Sequence, residues 1–234
     1  MAFNLTPSNH LLKSSNHQLQ LSTMFATVKS TLLNALALGA ILSGMAGVNA
    51  VTCNELPNST NSLSNFALSV WNLTLPNANN TGAPLVLAEK AAITGIQFWS
   101  LTAYASYPMN DYPIFNLANG ELVAVGSGPA AGTEGFAGEV TPGSWISFAV
   151  TKGSLPSPGP ATDFCAVGST SSEGSPNSQY YRLNILNAEA SPQSWAICPD
   201  GTHPGQQTLY FNPQAGASGG PSGCYAVDVL ILPL

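Results

Sequence analysis

The chain has 234 residues and a formal net charge of −6, with only 7% of its residues charged. Nucleic acid and anionic membrane surfaces are excluded as partners, because both require a basic patch that this composition does not supply. So few charges also leave little for the charged outer faces of soluble helices, whereas abundant Gly, Pro, Ser, Thr and Asn suit polar strand faces and turns.

Residues 1–50 read as an address. Lys29 precedes an apolar run from Leu32 to Leu42, and the small-residue stretch Val48-Asn49-Ala50 follows, the order that signal peptidase accepts. The run, interrupted by Gly39 and followed by Ser43 and Gly44, falls short of the roughly 20 apolar residues of a membrane span. The polar stretch before Met24 is not signal-like and reads as an upstream extension of a signal beginning at Met24. Cleavage after Ala50 predicts an exported chain that starts at Val51. It keeps Lys90, Lys152 and Arg182 against all eleven acids, so three basic against eleven acidic residues give a net charge of −8. Residues 51–234 are long enough for one domain with a sizeable core.

All four cysteines, Cys53, Cys165, Cys198 and Cys224, lie beyond that cut. An even number in an exported chain predicts two disulfides, with three pairings possible. Three N-glycosylation acceptors, Asn58, Asn72 and Asn79, each carry Thr two residues on and fit the same compartment.

After residue 50 no segment keeps a helical apolar period, while short alternating runs recur between turn signals. Phe66, Leu68 and Val70 begin the series, which ends at Leu75 before a Pro-Asn-Ala-Asn-Asn loop. Leu85 to Ala88 and Ile93 to Leu101 follow. Tyr112 to Val125 is a hairpin closed by Asn119-Gly120, whose tolerance of positive φ suits a two-residue turn and sets Leu117 opposite Leu122. Trp145 to Val150 is a half-buried strand with Ile146, Phe148 and Val150 on one face. Residues 153–160 and 168–178 are loops, and neither separates two compositions. Strands resume at Asp163 to Val167, Tyr180 to Leu186, Ser194 to Cys198, Thr208 to Phe211 and Tyr225 to Leu232. About ten strands at this spacing predict a single antiparallel β-sandwich. The run Val227 to Leu234 contains Asp228 and is too short for a glycolipid-anchor tail, so it is a final strand.

The signal peptide, the Tyr112-to-Val125 segment YPIFNLANGELVAV, and the pattern from Trp195 through Cys198-Pro199 to Gly223-Cys224-Tyr225-Ala226-Val227 together resemble a diffuse group of small secreted fungal β-sandwich proteins of unknown function. The resemblance implies a β-sandwich and an extracellular or cell-wall setting, and it transfers no catalytic residue. It also implies that the two late cysteines bracket the penultimate strand, giving Cys198–Cys224 and leaving Cys53–Cys165.

Candidates for chemistry are sparse. His203 is the one histidine after residue 50, so no metal-ligand cluster or cofactor site is expected, and Val51 rules out the N-terminal histidine of a copper-dependent polysaccharide oxygenase. Hydrophobins are excluded by their doubled cysteine count. Gly216-Ala217-Ser218-Gly219-Gly220 matches the nucleophile-elbow spacing, but no helix follows and His203 precedes the serine, so a loop serine is the reading. Glu134 and Glu139, flanking Gly135-Phe136-Ala137-Gly138, are the most suggestive carboxylate pair for glycoside hydrolysis, against the plainer reading of a solvated hairpin loop. Asp111, Asp163 and Asp200 sit at turn positions.

Aromatic residues carry the remaining signal, since sugar rings pack their C–H faces on Trp and Tyr. In the cluster from Phe98 to Phe115, strand alternation buries Phe98 and Phe115. Trp99, Tyr104, Tyr107 and Tyr112 are left as the candidate ligand-binding set on one exposed face. The expectation is a non-enzymatic secreted or wall-associated protein that binds a neutral cell-wall polysaccharide through these rings. The alternatives are an interaction protein with a protein partner and no small ligand, or a glycoside-active enzyme.

Overall fold

The computed structural model describes residues 52–93, 95–151, 155, 159–169, 178–186, 195–213 and 221–234. The presequence, its junction at Val51, Lys152 and the Gly216-to-Gly220 match lie outside the described residues.

Local sequence accounts for most of the strands. The first half contains β1 (Ser59–Thr60), β2 (Leu63–Asn72), β3 (Ala83–Ile93), β4 (Ile96–Ala103), β5 (Ile114–Ala118), β6 (Glu121–Val125) and β7 (Glu134–Ala137). The second contains β8 (Ser147–Thr151), β9 (Phe164–Val167), β10 (Tyr181–Ile185), β11 (Trp195–Pro199), β12 (Gln207–Phe211) and β13 (Tyr225–Pro233). Helical structure among the described residues is limited to three short 3₁₀ turns at Cys53–Glu55, Tyr104–Ser106 and Gly128–Ala130. The β5–β6 hairpin turns at Asn119 and Gly120, with φ of 52° and 86°, and Leu117 lies opposite Leu122. Gly120 also fits because a Cβ there would collide with the Thr162 carbonyl oxygen.

Hydrogen bonds join the strands in the order β1-β9-β10-β13-β11-β12-β4-β3-β2-β5-β6-β7-β8, with further pairings β13–β2 and β4–β8. These close a nine-strand barrel, β2-β5-β6-β7-β8-β4-β12-β11-β13. The all-β, two-disulfide, single-domain expectation is met, but the ring is closed where a sandwich would have two open sheets. The reason is a change of partner partway along two strands. One edge of β2 meets β5 at Leu63 and Phe66, then β3 at Ser69 and Val70. One edge of β4 meets β8 from Ile96 to Ser100, then β12 at Thr102. Each change is a corner that turns one layer into the next.

Alternation fills the barrel from every side. Phe66, Leu68 and Val70 of β2, Val229 and Ile231 of β13, and Phe148 and Val150 of β8 belong to one continuous core. β3 and β4 are buried on both faces: Leu87 and Leu101 point into that core, while Val86, Ala88, Ser100 and Thr102, on the opposite face, are also fully buried. β1 and β7 have no counterpart among the expected strands. The segment read as a possible loop around Glu134 is a strand between β6 and β8, and Gly135 is there because a Cβ would press to 3.0 Å from Val150.

Cys53 is bonded to Cys165, tying the first 3₁₀ turn to β9, and Cys198 to Cys224, spanning β12 from the end of β11 to the start of β13.

Candidate functional site

One end of the barrel opens into a cavity of about 750 Å³, within the range of roughly 300–1,000 Å³ typical of small-molecule sites. The site is built where β3 turns into β4. Ile93 pairs with Ile96, and Gly95 sits in the left-handed region at φ 81°. Strand alternation puts the two consecutive charged residues on opposite faces, and the register shifts between Glu89 and Ala91, leaving Lys90 without a cross-strand partner in β4. Glu89 pairs with Trp99 and lines the cavity, whereas Lys90 reaches over the other face of the sheet to Asp200.

Trp99 and Tyr112 form the aromatic wall, meeting edge to face with centroids 5.4 Å apart. Thr133 Oγ1 donates to the Ala130 carbonyl at 2.6 Å, so its hydroxyl proton is used and Tyr112 Oη is the donor in their 3.0 Å bond. Tyr112 is thereby satisfied. Trp99 is not: it is 8% exposed, and its indole Nε1 is buried without a hydrogen-bond partner. Val150 and Ile96 add apolar surface, and Glu89, Gln97, Asp111 and Thr151 supply polar atoms. No basic side chain lies among the described lining residues.

Asp111 is held in place by its own backbone, whose carbonyl accepts from Ser127 N–H at 2.7 Å. Beside it, burial first, then the charges of Asp111 and Glu89, push the Tyr107 phenol above its ordinary range, while a backbone hydrogen bond from Glu89 pulls the other way. Tyr107 therefore stays protonated at neutral pH, and both carboxylates lie close enough to act on it.

The four aromatic residues expected to share an exposed face do not. Trp99 and Tyr112 are buried at 8% and 3% exposure, Tyr107 is partly buried beside the rim, and Tyr104 is 44% exposed on the 3₁₀ turn. The face of β4 is also opposite to the one alternation suggested: Trp99 points inward, and Phe98 is half-buried on the outside opposite Ala149. Tertiary burial of both faces of β4 hides its phase from a hydropathy pattern.

Glu134 and Glu139 are not brought into one cavity. Glu134 is exposed at the start of β7, and Glu139 lines a second groove of about 800 Å³ with Trp145, Tyr210 and Asp200. Polar groups in that groove already serve one another. Ser144 Oγ donates to Thr141 O at 2.6 Å, and Asp200 accepts from Lys90, Thr202 and His203. Of the glycosylation acceptors, Asn58 and Asn79 are exposed and Asn72 is half-buried. Asn72 and Asn79 each accept from the backbone N–H and the hydroxyl of the Thr two residues on, at 2.8–3.1 Å.

Glu89 and Asp111 escape sequence reasoning. One signal pointed to the first: Glu89-Lys90 is a charged pair inside an otherwise apolar strand of a charge-poor chain, and such a pair needs two different environments. No family model, curated protein or solved structure matches the chain, so its functional reading rests on this geometry.

Proposed function

We propose that the protein is an exported, non-catalytic carbohydrate-binding β-barrel that holds one end of a glycan in the mouth beside Trp99. The observation that carries this reading is the amphiphilic cavity. Ile93, Ile96 and Pro129 offer accessible apolar surface to sugar C–H groups around the buried Trp99 and Tyr112, and Glu89, Gln97 and Asp111 offer hydrogen-bonding partners to hydroxyls. A polyanion is disfavoured by the two carboxylates. Export is supported by the two disulfides and by the signal-like presequence. Glycosylation at Asn58 and Asn79, both exposed, belongs to the same proposal, as does a cell-wall setting.

The test is affinity electrophoresis through gels cast with soluble glucans and chitin-derived polymers. Wild-type protein is retarded by at least one of them. Ala92→Trp, which adds bulk from an exposed position on the cavity lining, loses the retardation and keeps the melting temperature, since surface changes usually move stability by under about 0.5 kcal/mol. Unretarded wild-type protein on every glycan refutes the reading.

A glycoside-active enzyme is the second reading, favoured by one observation: Glu89 and Asp111 line the same cavity. The exposure of Glu89 argues against it, because a general acid of this kind sits in an apolar pocket that raises its pKa. Reducing ends accumulating on incubation with a bound glycan, and lost in Glu89→Gln, would establish the enzyme instead.

A further inference from the structure

The second groove is built around a preformed aromatic pair. Gly143 N–H donates to the Phe211 carbonyl and Phe211 N–H to the Ser144 carbonyl, each at 2.8 Å, which pins the entry to β8 against β12. These bonds set Trp145 opposite Tyr210, with perpendicular rings whose centroids lie 6.0 Å apart. Both rings pack with Cys198 and Cys224, so that disulfide stiffens the pair. Ser144 and Asp200 are used up by their neighbours, but three polar groups of the groove are not. Trp145 is half-buried and Tyr210 is 7% exposed, yet Trp145 Nε1 and Tyr210 Oη make no hydrogen bond among the described residues. Neither atom is enclosed, so both keep accessible surface, and the cavity that their side chains line is this groove. Burial first, then the Asp200 charge, pushes the Tyr210 phenol above its ordinary range, so it remains an O–H donor at neutral pH. The third group is the Glu139 carboxylate, exposed in the same groove and in no ion pair among the described residues.

An occupant has to cover an indole, accept from two neutral donors and donate to a carboxylate. A neutral sugar does all three, because its C–H groups pack on the ring and each hydroxyl both donates and accepts. A proline-rich strand, the other ligand that Trp and Tyr donors suit, brings carbonyls for them but no N–H at its prolines for Glu139. We infer that the groove is a second glycan site, with a sugar ring on Trp145, sugar oxygens accepting from Trp145 Nε1 and Tyr210 Oη, and a hydroxyl donating to Glu139. This rests on the carbohydrate reading above and makes the protein bivalent. Ser147 at the start of β8 lines the groove and Thr151 at its end lines the mouth, so two glycan segments are held at opposite ends of one strand. Retention on a polymer then depends on both sites together, and filling the mouth alone abolishes it while the groove still binds short oligomers.

Titration calorimetry of the intact protein tests this, with short oligomers of β-1,3-linked glucose and of N-acetylglucosamine as probes. The expected result is two molecules of at least one oligomer bound per chain. Tyr210→Phe/Glu139→Gln keeps both rings and weakens one of the two sites at least about tenfold, the value of its two lost hydrogen bonds. Ala92→Trp removes the other site and leaves the groove affinity unchanged. Trp145→Ala abolishes groove binding, and Tyr210→Phe alone, weakening it about fivefold, stands in if that variant does not fold. One molecule per chain, lost in Ala92→Trp and unmoved by the groove variants, overturns the second site and leaves the carbohydrate reading standing. Two molecules whose affinities no groove variant moves also overturn it. One molecule, kept in Ala92→Trp and lost in Trp145→Ala, refutes the mouth while the groove assignment holds. Binding of neither oligomer removes the carbohydrate reading and this inference together. A proline-rich peptide that binds the groove more tightly than either oligomer overturns the glycan assignment.

Discussion

Replacing Lys90 tests the buried network that separates the two faces of β3. The Lys90 and Asp200 side chains are 5% and 1% exposed, and the ammonium donates to Asp200, to Gln206 Oε1 at 2.6 Å and to Thr208 Oγ1 at 3.0 Å. Asp200 in turn accepts from Thr202 N–H at 2.8 Å, Thr202 Oγ1 at 2.7 Å and His203 N–H at 3.1 Å. Removing one partner of a buried pair costs about 3–5 kcal/mol. Lys90→Met falls near the lower end, because Asp200 keeps the turn's donors. Asp200→Ala falls near the upper end, because it strands an ammonium between two neutral acceptors. At about 2–4 °C per kcal/mol for a chain of this size, the melting temperature drops by roughly 6–20 °C. Lys90→Met/Asp200→Asn recovers much of the loss, since a neutral pair carries no desolvated charge. Burial would raise the Asp200 carboxyl, but hydrogen bonds from Lys90 and Thr202 and the Lys90 charge prevail and hold it well below the usual carboxylate range. The folded carboxyl thus binds its proton less tightly than the unfolded one. The network's contribution is complete above the unfolded pKa of about 3.9 and is lost progressively as the pH falls below it. Urea midpoints at neutral and acid pH measure both effects. A Lys90→Met cost under about 1 kcal/mol, the value of a surface pair, would refute the reasoning.

Two further outcomes are expected. Reduction should destabilise the fold by up to about 5 kcal/mol for Cys53–Cys165 and about 3.5 kcal/mol for Cys198–Cys224, because their separations of 112 and 26 residues constrain the unfolded chain unequally. Single-bridge Cys→Ser pairs followed by thermal melts should give that order, and a larger loss from the shorter bridge would contradict it. Asp163 has Oδ1 buried without a partner, and burial first, then the Glu139 charge, raises its carboxyl, against its own backbone hydrogen bond. A raised carboxyl stabilises the fold below the unfolded pKa and loses that contribution as the pH climbs through the folded one. Asp163→Asn should therefore be at least as stable as wild type at neutral pH, with no advantage below about pH 4. A variant destabilised at neutral pH would show that the carboxylate has a partner worth keeping.

Strand positions were legible wherever turn chemistry and alternation agree. Asn119-Gly120 between Leu117 and Leu122 marks a hairpin locally, and Ile146, Phe148 and Val150 mark one inward face. Closure was not legible, because it depends on which strand β2 and β4 meet after Phe66 and Ser100, and alternation reports a face but never a neighbour. β7 was obscured by its own packing: Gly135 reads as a loop residue, yet it is the absence of a Cβ that lets the strand approach Val150. The cavity was half legible. Trp99 and Tyr112 stood out as aromatics, but their burial inverts the expected open platform, and Glu89 and Asp111 become neighbours only through the fold.

The pairing of β13 also governs when the molecule can exist. β13 borders β2 along seven residue pairs, from Val227 with Asn72 to Pro233 with Phe66, and it carries β10 and β11 as well. During synthesis one edge of the earliest long strand must wait for the latest described one, while its other edge can already meet β5 and β3. Such long-range pairing slows folding and exposes the waiting strands to aggregation. Closure only after the β13 segment has become available suits this topology better than stepwise folding from the N-terminus.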